Sequence, residues 1–196
     1  FGVGQKAAIL ISGRGCAFHC GFCANLFPGK LRLRSPENVI AEIMELKEKF
    51  GVTAFRDEAD TLTANRKWLE QYCRLLAPLK VTWKGHTRSD LLDKETVAML
   101  REAGMIECGL GVESGDPAVL KLINKKDTVE EHIHAVQLLK QGGIISKVYL
   151  ISGLPGETEE SLKLTQRFMQ QAKPDKWTLS LFQPLPGSDI WNWPQR

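Results

Sequence analysis

The sequence predicts an α/β fold: a partial (βα)6 TIM-like barrel of parallel strands, open on one side. Three observations lead to this expectation. Six strand-length apolar runs alternate with amphipathic helical stretches. The first run, residues 7–12, is continuously apolar, as in a parallel strand covered on both faces. Acids and other polar residues gather just after the strand-like runs, where a parallel barrel collects its ligand-binding loops.

After the first strand, Ser35-Pro36-Glu37-Asn38 caps a helix with proline in its first turn. Val39, Ile40, Ile43, Met44, Leu46 and Phe50 form its apolar face, and Gly51 ends it. Residues 53–56 give the second strand, 65–79 a helix, 81–86 the third strand and 93–103 a helix stopped by Gly104. Asp93 and Thr96 offer only a partial capping box for that helix. The fourth strand covers 105–112, followed by a short helix over 117–123 and a longer one over 128–141 that Thr128 caps and Gly142-Gly143 ends. The fifth strand is 144–152, the last helix 159–172 and the sixth strand 176–181. Residues 190–193, Ile-Trp-Asn-Trp, read as an exposed-looking aromatic end, either a packed tail or a contact to a further segment or partner.

The 196 residues are 43% hydrophobic and 25% charged, an ordinary composition for one soluble globular domain. A formal net charge of +3 is too mild to point to nucleic acid, which calls for a clustered basic face. Lys30, Arg32 and Arg34 are a small basic group suited to a carboxylate or phosphate, and equally an ordinary solvated loop. No apolar run is long enough to span a membrane. The chain ends as the sixth strand is complete, so one domain over 1–196 is expected, with no flanking domain.

Cys16, Cys20 and Cys23 crowd one loop, C-A-F-H-C-G-F-C, directly after the first strand. A cubane iron–sulfur cluster normally takes four cysteine thiolates, so three leave one iron open to a substrate or cofactor. A zinc site with His19 as fourth ligand is the alternative, but no second ligand pair follows at zinc-site spacing. Disulfides fit poorly with an odd count of five cysteines and no secretory leader before Cys16. The loop suits a reducing, cytoplasmic setting. Cys73 and Cys108 fall in regular elements and read as small buried hydrophobes. Gly13, Gly15 and Gly21 let the backbone wrap closely around a bulky group or are simply loop glycines. His132 and His134 face different sides of their helix and make no metal pair.

The spacing Cys-x-x-x-Cys-x-x-Cys with Phe22 before the last cysteine resembles the cluster loop of the radical S-adenosylmethionine (radical SAM) superfamily. Gly111-x-Glu113-Ser114-Gly115, Gly153-Leu-Pro-Gly-Glu-Thr158 and Pro184-Leu-Pro-Gly-Ser188 resemble turns of its cobalamin-type and methylthiotransferase-type branch, in order along nearly the whole chain. The resemblance implies a radical SAM core domain over 1–196 that carries a 4Fe-4S cluster on Cys16, Cys20 and Cys23. It further implies reductive cleavage of SAM to a 5′-deoxyadenosyl radical, which takes hydrogen from an unidentified substrate. The alternative is a non-catalytic electron carrier or zinc-stabilised module.

By the same resemblance, Phe22, Asp57, Glu58, Asp60, Arg88, Glu113 and Ser152 are the SAM-contact candidates. Glu113 is assigned to the ribose, and one of Asp57, Glu58 or Asp60 to the methionine amino group. This chain departs from the usual pair of adjacent acids followed by an aromatic, which leaves open which of the three makes the contact, and a helix cap is the rival role for Asp60. Arg88 is a candidate for the SAM carboxylate or the substrate, with a structural ion pair equally open. The strand end at Ser152 would run along the adenine. Lys125 or Lys126 matches a lysine of related chains, but a surface role is expected. The implied partners are SAM, a reductant such as flavodoxin or ferredoxin, and a substrate that is large or presented by a partner.

Overall fold

The computed structural model describes every residue except 3, 25, 26, 28 and 194–196. Strand β1 (Ala7–Leu10) is followed by a two-residue strand β2 (Gly13–Arg14) that pairs antiparallel with β3 (Arg32–Leu33), bracketing the cysteine loop. Then come helix α1 (Pro36–Phe50), β4 (Ala54–Asp57), α2 (Arg66–Leu76), β5 (Thr82–Thr87), α3 (Lys94–Glu102) and β6 (Met105–Glu113). The short α4 (Pro117–Leu122), α5 (Val129–Gln141), β7 (Ile145–Ser152), α6 (Glu159–Ala172) and β8 (Lys176–Leu181) complete the order.

The main sheet runs β1-β4-β5-β6-β7-β8, and every neighbouring pair is parallel. Sequence order and spatial order agree once the β2–β3 hairpin is set aside. β1 and β8 are the two free edges, which makes the expected barrel partial and open.

One face of the sheet is sealed by the helices. Phe55, Trp83, Cys108, Leu110, Val112, Val148 and Leu150 meet Val39, Ile43, Leu69, Tyr72, Leu100, Val136 and Phe168 in one continuous core. Each large apolar side chain removed from water contributes about 1.5–3 kcal/mol. Trp83 also donates its indole N–H to the Ala103 carbonyl at 2.9 Å, which locks α3 onto β5. The helix ends follow the expected chemistry. Ser35 accepts from the Asn38 amide, Asp93 from the Thr96 amide, and Thr128 exchanges bonds with Glu131 in a full capping box.

Four expectations change. The first strand ends at Leu10 rather than residue 12, because the Ser12 amide turns to Asp57 Oδ1 at 3.2 Å. The helix expected over 65–79 stops at Leu76 and closes with a 3-10 turn, Ala77–Leu79, because Pro78 has no N–H for the helical ladder. Two members of the small basic group are drawn into the framework rather than left in a solvated loop. Arg34 braces Glu42 at 2.5 Å and the Ile11 carbonyl at 3.2 Å, and Arg32 sits over the Phe27 ring. At the tail, Ile190 is buried against Leu120, Ile123 and Leu154, while Trp191 and Trp193 stay exposed. No helix among the described residues is long and apolar enough to cross a membrane.

Candidate active site

The cysteine loop leaves β2 through Gly15. Its φ of +84° suits glycine, and a Cβ there would lie 2.1 Å from the Lys30 carbonyl oxygen. The Gly15 amide donates to Asp60 Oδ2 at 2.6 Å, and Cys16 Sγ lies 3.1 Å from Thr61 Oγ1. The loop after β4 therefore holds the first cysteine. Further along, the Gly21 amide donates to the Ile123 carbonyl at 2.7 Å, the Asn124 side-chain Nδ2 to the His19 carbonyl at 2.5 Å, and the Ile190 amide to the Gly21 carbonyl at 3.0 Å. These bonds tie the loop to the end of α4 and to the C-terminal turn, and none of its three cysteines is in a disulfide.

Cys16, Cys20 and Cys23 line one cavity of about 270 Å3 at the C-terminal ends of the strands. Phe22, Asp60, Arg88 and Glu113 line it too, so seven of the ten sequence-derived site residues converge there. The His19 ring instead faces Gly29, 2.7 Å from where a Cβ would stand. Among the described residues no three Cys, His, Asp or Glu side chains are placed to share one metal ion. The nearby positive charge suits an anionic cluster. Arg88 Nη1 lies 3.8 Å from Cys20 Sγ, and burial pushes the Cys20 thiol up against the opposing pull of Lys125 and Arg88.

The three acids after β4 separate by direction. Asp57 points to the helix side and is almost wholly buried. Its Oδ1 accepts from the Ser12 and Ala59 amides while Oδ2 has no partner, and burial pushes its pKa up. Glu58 points the other way, into an ion pair with Arg56 at 2.5 Å. Only Asp60 faces the cavity. The helix-cap alternative for Asp60 is corrected, because Asn65 caps α2.

Arg88 is spent largely on the protein. Nε and Nη2 reach the two Asp90 carboxylate oxygens at 2.9 and 3.0 Å, and the guanidinium stacks 3.9 Å over the Phe18 ring. Glu113 ends β6 with a φ of +66°, a left-handed position that aims its carboxylate into the cavity beside Gly111. Ser152 donates to Glu157 Oε1 at 3.0 Å, and the Gly153 amide donates to the same oxygen at 2.7 Å, so this pair holds the turn before α6.

Lys125 was expected at the surface and is instead buried. Its ammonium donates to the Gly111 carbonyl at 2.5 Å and lies 3.1 Å from Glu113 Oε1 and 3.9 Å from Asp127 Oδ2. Burial works against its charge, but Glu113 and Asp127 outweigh that and raise its pKa. Lysine beside a buried carboxylate is a long-range pairing, and nothing in the local sequence of α4–α5 signals it. His86 and Tyr149 also line the cavity and were missed. Alternation along β5 and β7 marks them as facing away from the helices, but only once the covered face is known.

A wider cavity of about 530 Å3, lined by Ile9, Ile11, Arg14, Arg32, Arg34 and Glu42, opens along the free β1 edge and contains no cysteine.

A family model described as the radical SAM superfamily matches residues 10–169. The anaerobic magnesium-protoporphyrin IX monomethyl ester cyclase of Rubrivivax gelatinosus is 34% identical over 191 residues, which is 95% of this chain and 34% of the cyclase. An uncharacterized methyltransferase of Pyrococcus horikoshii is 28% identical over 97% of this chain and 42% of its own length. The radical SAM methyltransferase TsrM of Kitasatospora setae, solved with cobalamin and a 4Fe-4S cluster, superposes with a TM-score of 0.86. It is 17% identical, over 95% of this chain and 36% of that one. The chain spans about a third of the length of the cyclases it matches.

Proposed function

The chain belongs to the radical SAM superfamily, matched from residue 10 to residue 169, and on that premise we propose that it holds a 4Fe-4S cluster on Cys16, Cys20 and Cys23 and cleaves SAM reductively. One observation carries this reading: three cysteines outside any disulfide and the Asp60 and Glu113 carboxylates open onto one cavity at the C-terminal ends of the strands. When bound, the cluster supplies the electron that splits the sulfonium and leaves a 5′-deoxyadenosyl radical to take hydrogen from the substrate.

The chain's own residues orient and shield. Asp60 steadies the cysteine loop through the Gly15 amide and has a second carboxylate oxygen for the methionine amino group. Glu113 offers two acceptor oxygens to a ribose diol, and Lys125 fixes its orientation. Phe22 and Phe18 make the apolar wall that keeps water from the reacting atoms. Arg88 keeps positive charge on Cys20. Asp57 and Ser152 serve the framework around the site.

Residues 1–196 are proposed to form the core domain, and the reductant to be a small electron carrier of the flavodoxin or ferredoxin type. The relatives include a cyclase and methyltransferases, so the reaction belongs with radical cyclisation or methyl transfer, with cobalamin as a candidate second cofactor. Anaerobic reconstitution with iron and sulfide, then reduction with SAM, tests the reading. A brown protein that releases 5′-deoxyadenosine is expected; a colourless protein holding stoichiometric zinc would overturn it.

A further inference from the structure

The concave face of the sheet carries a second group of side chains that the SAM roles leave unused. In register, Arg56 lies beside Lys84 and Lys84 beside Glu107, while His86, Gly109, Lys147 and Lys176 form the next row. The interleaved Trp83, Cys108, Leu110 and Val148 are buried under the helices, so these rows face the open interior of the barrel. Four cations, Arg56, Lys84, Lys147 and Lys176, stand there against two carboxylates, Glu58 and Glu107.

The carboxylates are already taken. Glu58 holds Arg56 at 2.5 Å and lies 3.5 Å from His86, and Glu107 is shared by Lys84 at 3.3 Å and Lys176 at 2.6 Å. Lys147 is left with the Tyr149 ring, 4.9 Å below its ammonium, and no ion pair is found for it among the described residues.

Tyr149 and His86 stand in the same cavity as the three cysteines and Glu113. Their ring centroids are 5.5 Å apart, and Tyr149 Oη is 3.4 Å from His86 Nδ1. That contact is at the long limit of a hydrogen bond, so the hydroxyl is free to rotate toward another acceptor. The pair needs the bare backbone of Gly109 beneath it. A Cβ there would lie 2.5 Å from His86 Nδ1 and 2.7 Å from Tyr149 Cε2. Burial pushes His86 below its usual range and Tyr149 above it, so the imidazole is neutral and the phenol protonated near pH 7.

We propose that the Tyr149 end of the cavity, with Lys147 standing over the Tyr149 ring beside it, is the substrate subsite and takes an organic anion, a carboxylate or a phosphate ester, held by the Lys147 ammonium and the Tyr149 hydroxyl. The proposal rests on the cluster-and-SAM reading, because the cysteines and Glu113 of that reading line the same cavity as His86 and Tyr149. An unpaired ammonium beside a phenolic donor recognises an oxyanion, and the surplus of cations on this face repels a cationic substrate.

The test is saturation-transfer NMR on the full chain with four probes of similar shape: benzoate, phenyl phosphate, benzamide and benzylamine. The experiment is run with and without prior cluster reconstitution and SAM. One or both anions should bind about tenfold better than the neutral and cationic probes, and the stronger anion tells carboxylate from phosphate. Lys147→Gln should erase that preference and Lys147→Arg restore it. Tyr149→Phe should weaken it several-fold, which keeps the test decisive if Lys147→Gln does not fold. Equal binding of all four probes, no binding of either anion, or an unchanged preference in Lys147→Gln would overturn the subsite. Absence of cluster assembly and SAM cleavage in the wild-type chain would instead overturn the proposed function, and the anion preference is read on the same samples either way.

Discussion

The two faces of the central sheet are built from alternate residues of the same strands, yet they obey opposite rules. On the helix side, Trp83, Cys108, Leu110 and Val148 are at most 1% exposed and part of one apolar core. One residue away, Lys84, Glu107, Gly109 and Lys147 face the barrel opening with charges or with no side chain at all. The covered face provides the stability, so the open face is free to carry groups that cost stability: a left-handed glutamate, a buried lysine and a cation without a carboxylate. Function can be placed on this sheet because half of it is already sealed.

The cysteines give the sharpest version of this contrast. Cys16→Ala, Cys20→Ala and Cys23→Ala should each abolish the iron–sulfur absorption after reconstitution and all SAM cleavage. Cys108→Ala should keep both, since its thiol is buried on the helix side with its pKa pushed up to about 12. Iron and sulfide analysis of the four proteins decides it. Cluster loss in Cys108→Ala would mean that the two faces are not separate in role.

Next in size is the pair Trp83 and Lys84, neighbours on opposite faces. Trp83→Ala removes the largest fully buried side chain and its indole bond, and should lower unfolding free energy by about 3–5 kcal/mol. Lys84→Ala loses only a partly exposed ion pair and should cost below about 1 kcal/mol. Urea unfolding of both variants measures the difference, and equal losses would break the comparison.

Glu113→Gln keeps the shape of the open face but removes the carboxylate charge. SAM affinity should fall by roughly 1.5–3 kcal/mol, with cluster content unchanged. Calorimetric titration of the reconstituted protein checks this, and unchanged affinity would make Glu113 a partner of Lys125 alone.

The smallest effect is a pH dependence housed on the helix side. His132 is fully buried against Phe168 and Ser89, and burial first, then Lys125 and Arg88, lowers its pKa to about 3. An unfolded histidine titrates near ~6.5, so between those values the unfolded chain binds the extra proton and stability falls as pH falls. Acidification from neutral to about pH 5 should cost roughly 2 kcal/mol through this residue. His132→Asn should remove that share of the slope in denaturation curves taken across the range.

Much of the fold was legible before any coordinates. The caps at Ser35, Asp93 and Thr128 and the six apolar runs were in place, because capping and strand burial are local chemistry that a short window records. The β2–β3 hairpin was not, since two residues per strand leave no periodicity to read. In the site, the three cysteines were legible from spacing alone. Asp57, Glu58 and Asp60 were found as a group, but which one faces the cavity depends on strand phase and on where β4 ends.

By itself, the sequence determined the parallel α/β alternation, the helix boundaries within a few residues, the clustering of three thiols in one loop and the presence of a glutamate at the end of β6. These are properties of neighbours along the chain. Only the tertiary structure decided that Lys125 folds inward to meet Glu113, that Arg88 comes to lie beside Cys20, and that His86 and Tyr149 share the cavity with Lys147 standing over the Tyr149 ring. Arg88 with Cys20 and His86 with Tyr149 join separate strand–helix units, and Lys125 meets Glu113 only because the chain folds back from α4 onto the end of β6; a buried charge finds such a partner only after the covered face has closed.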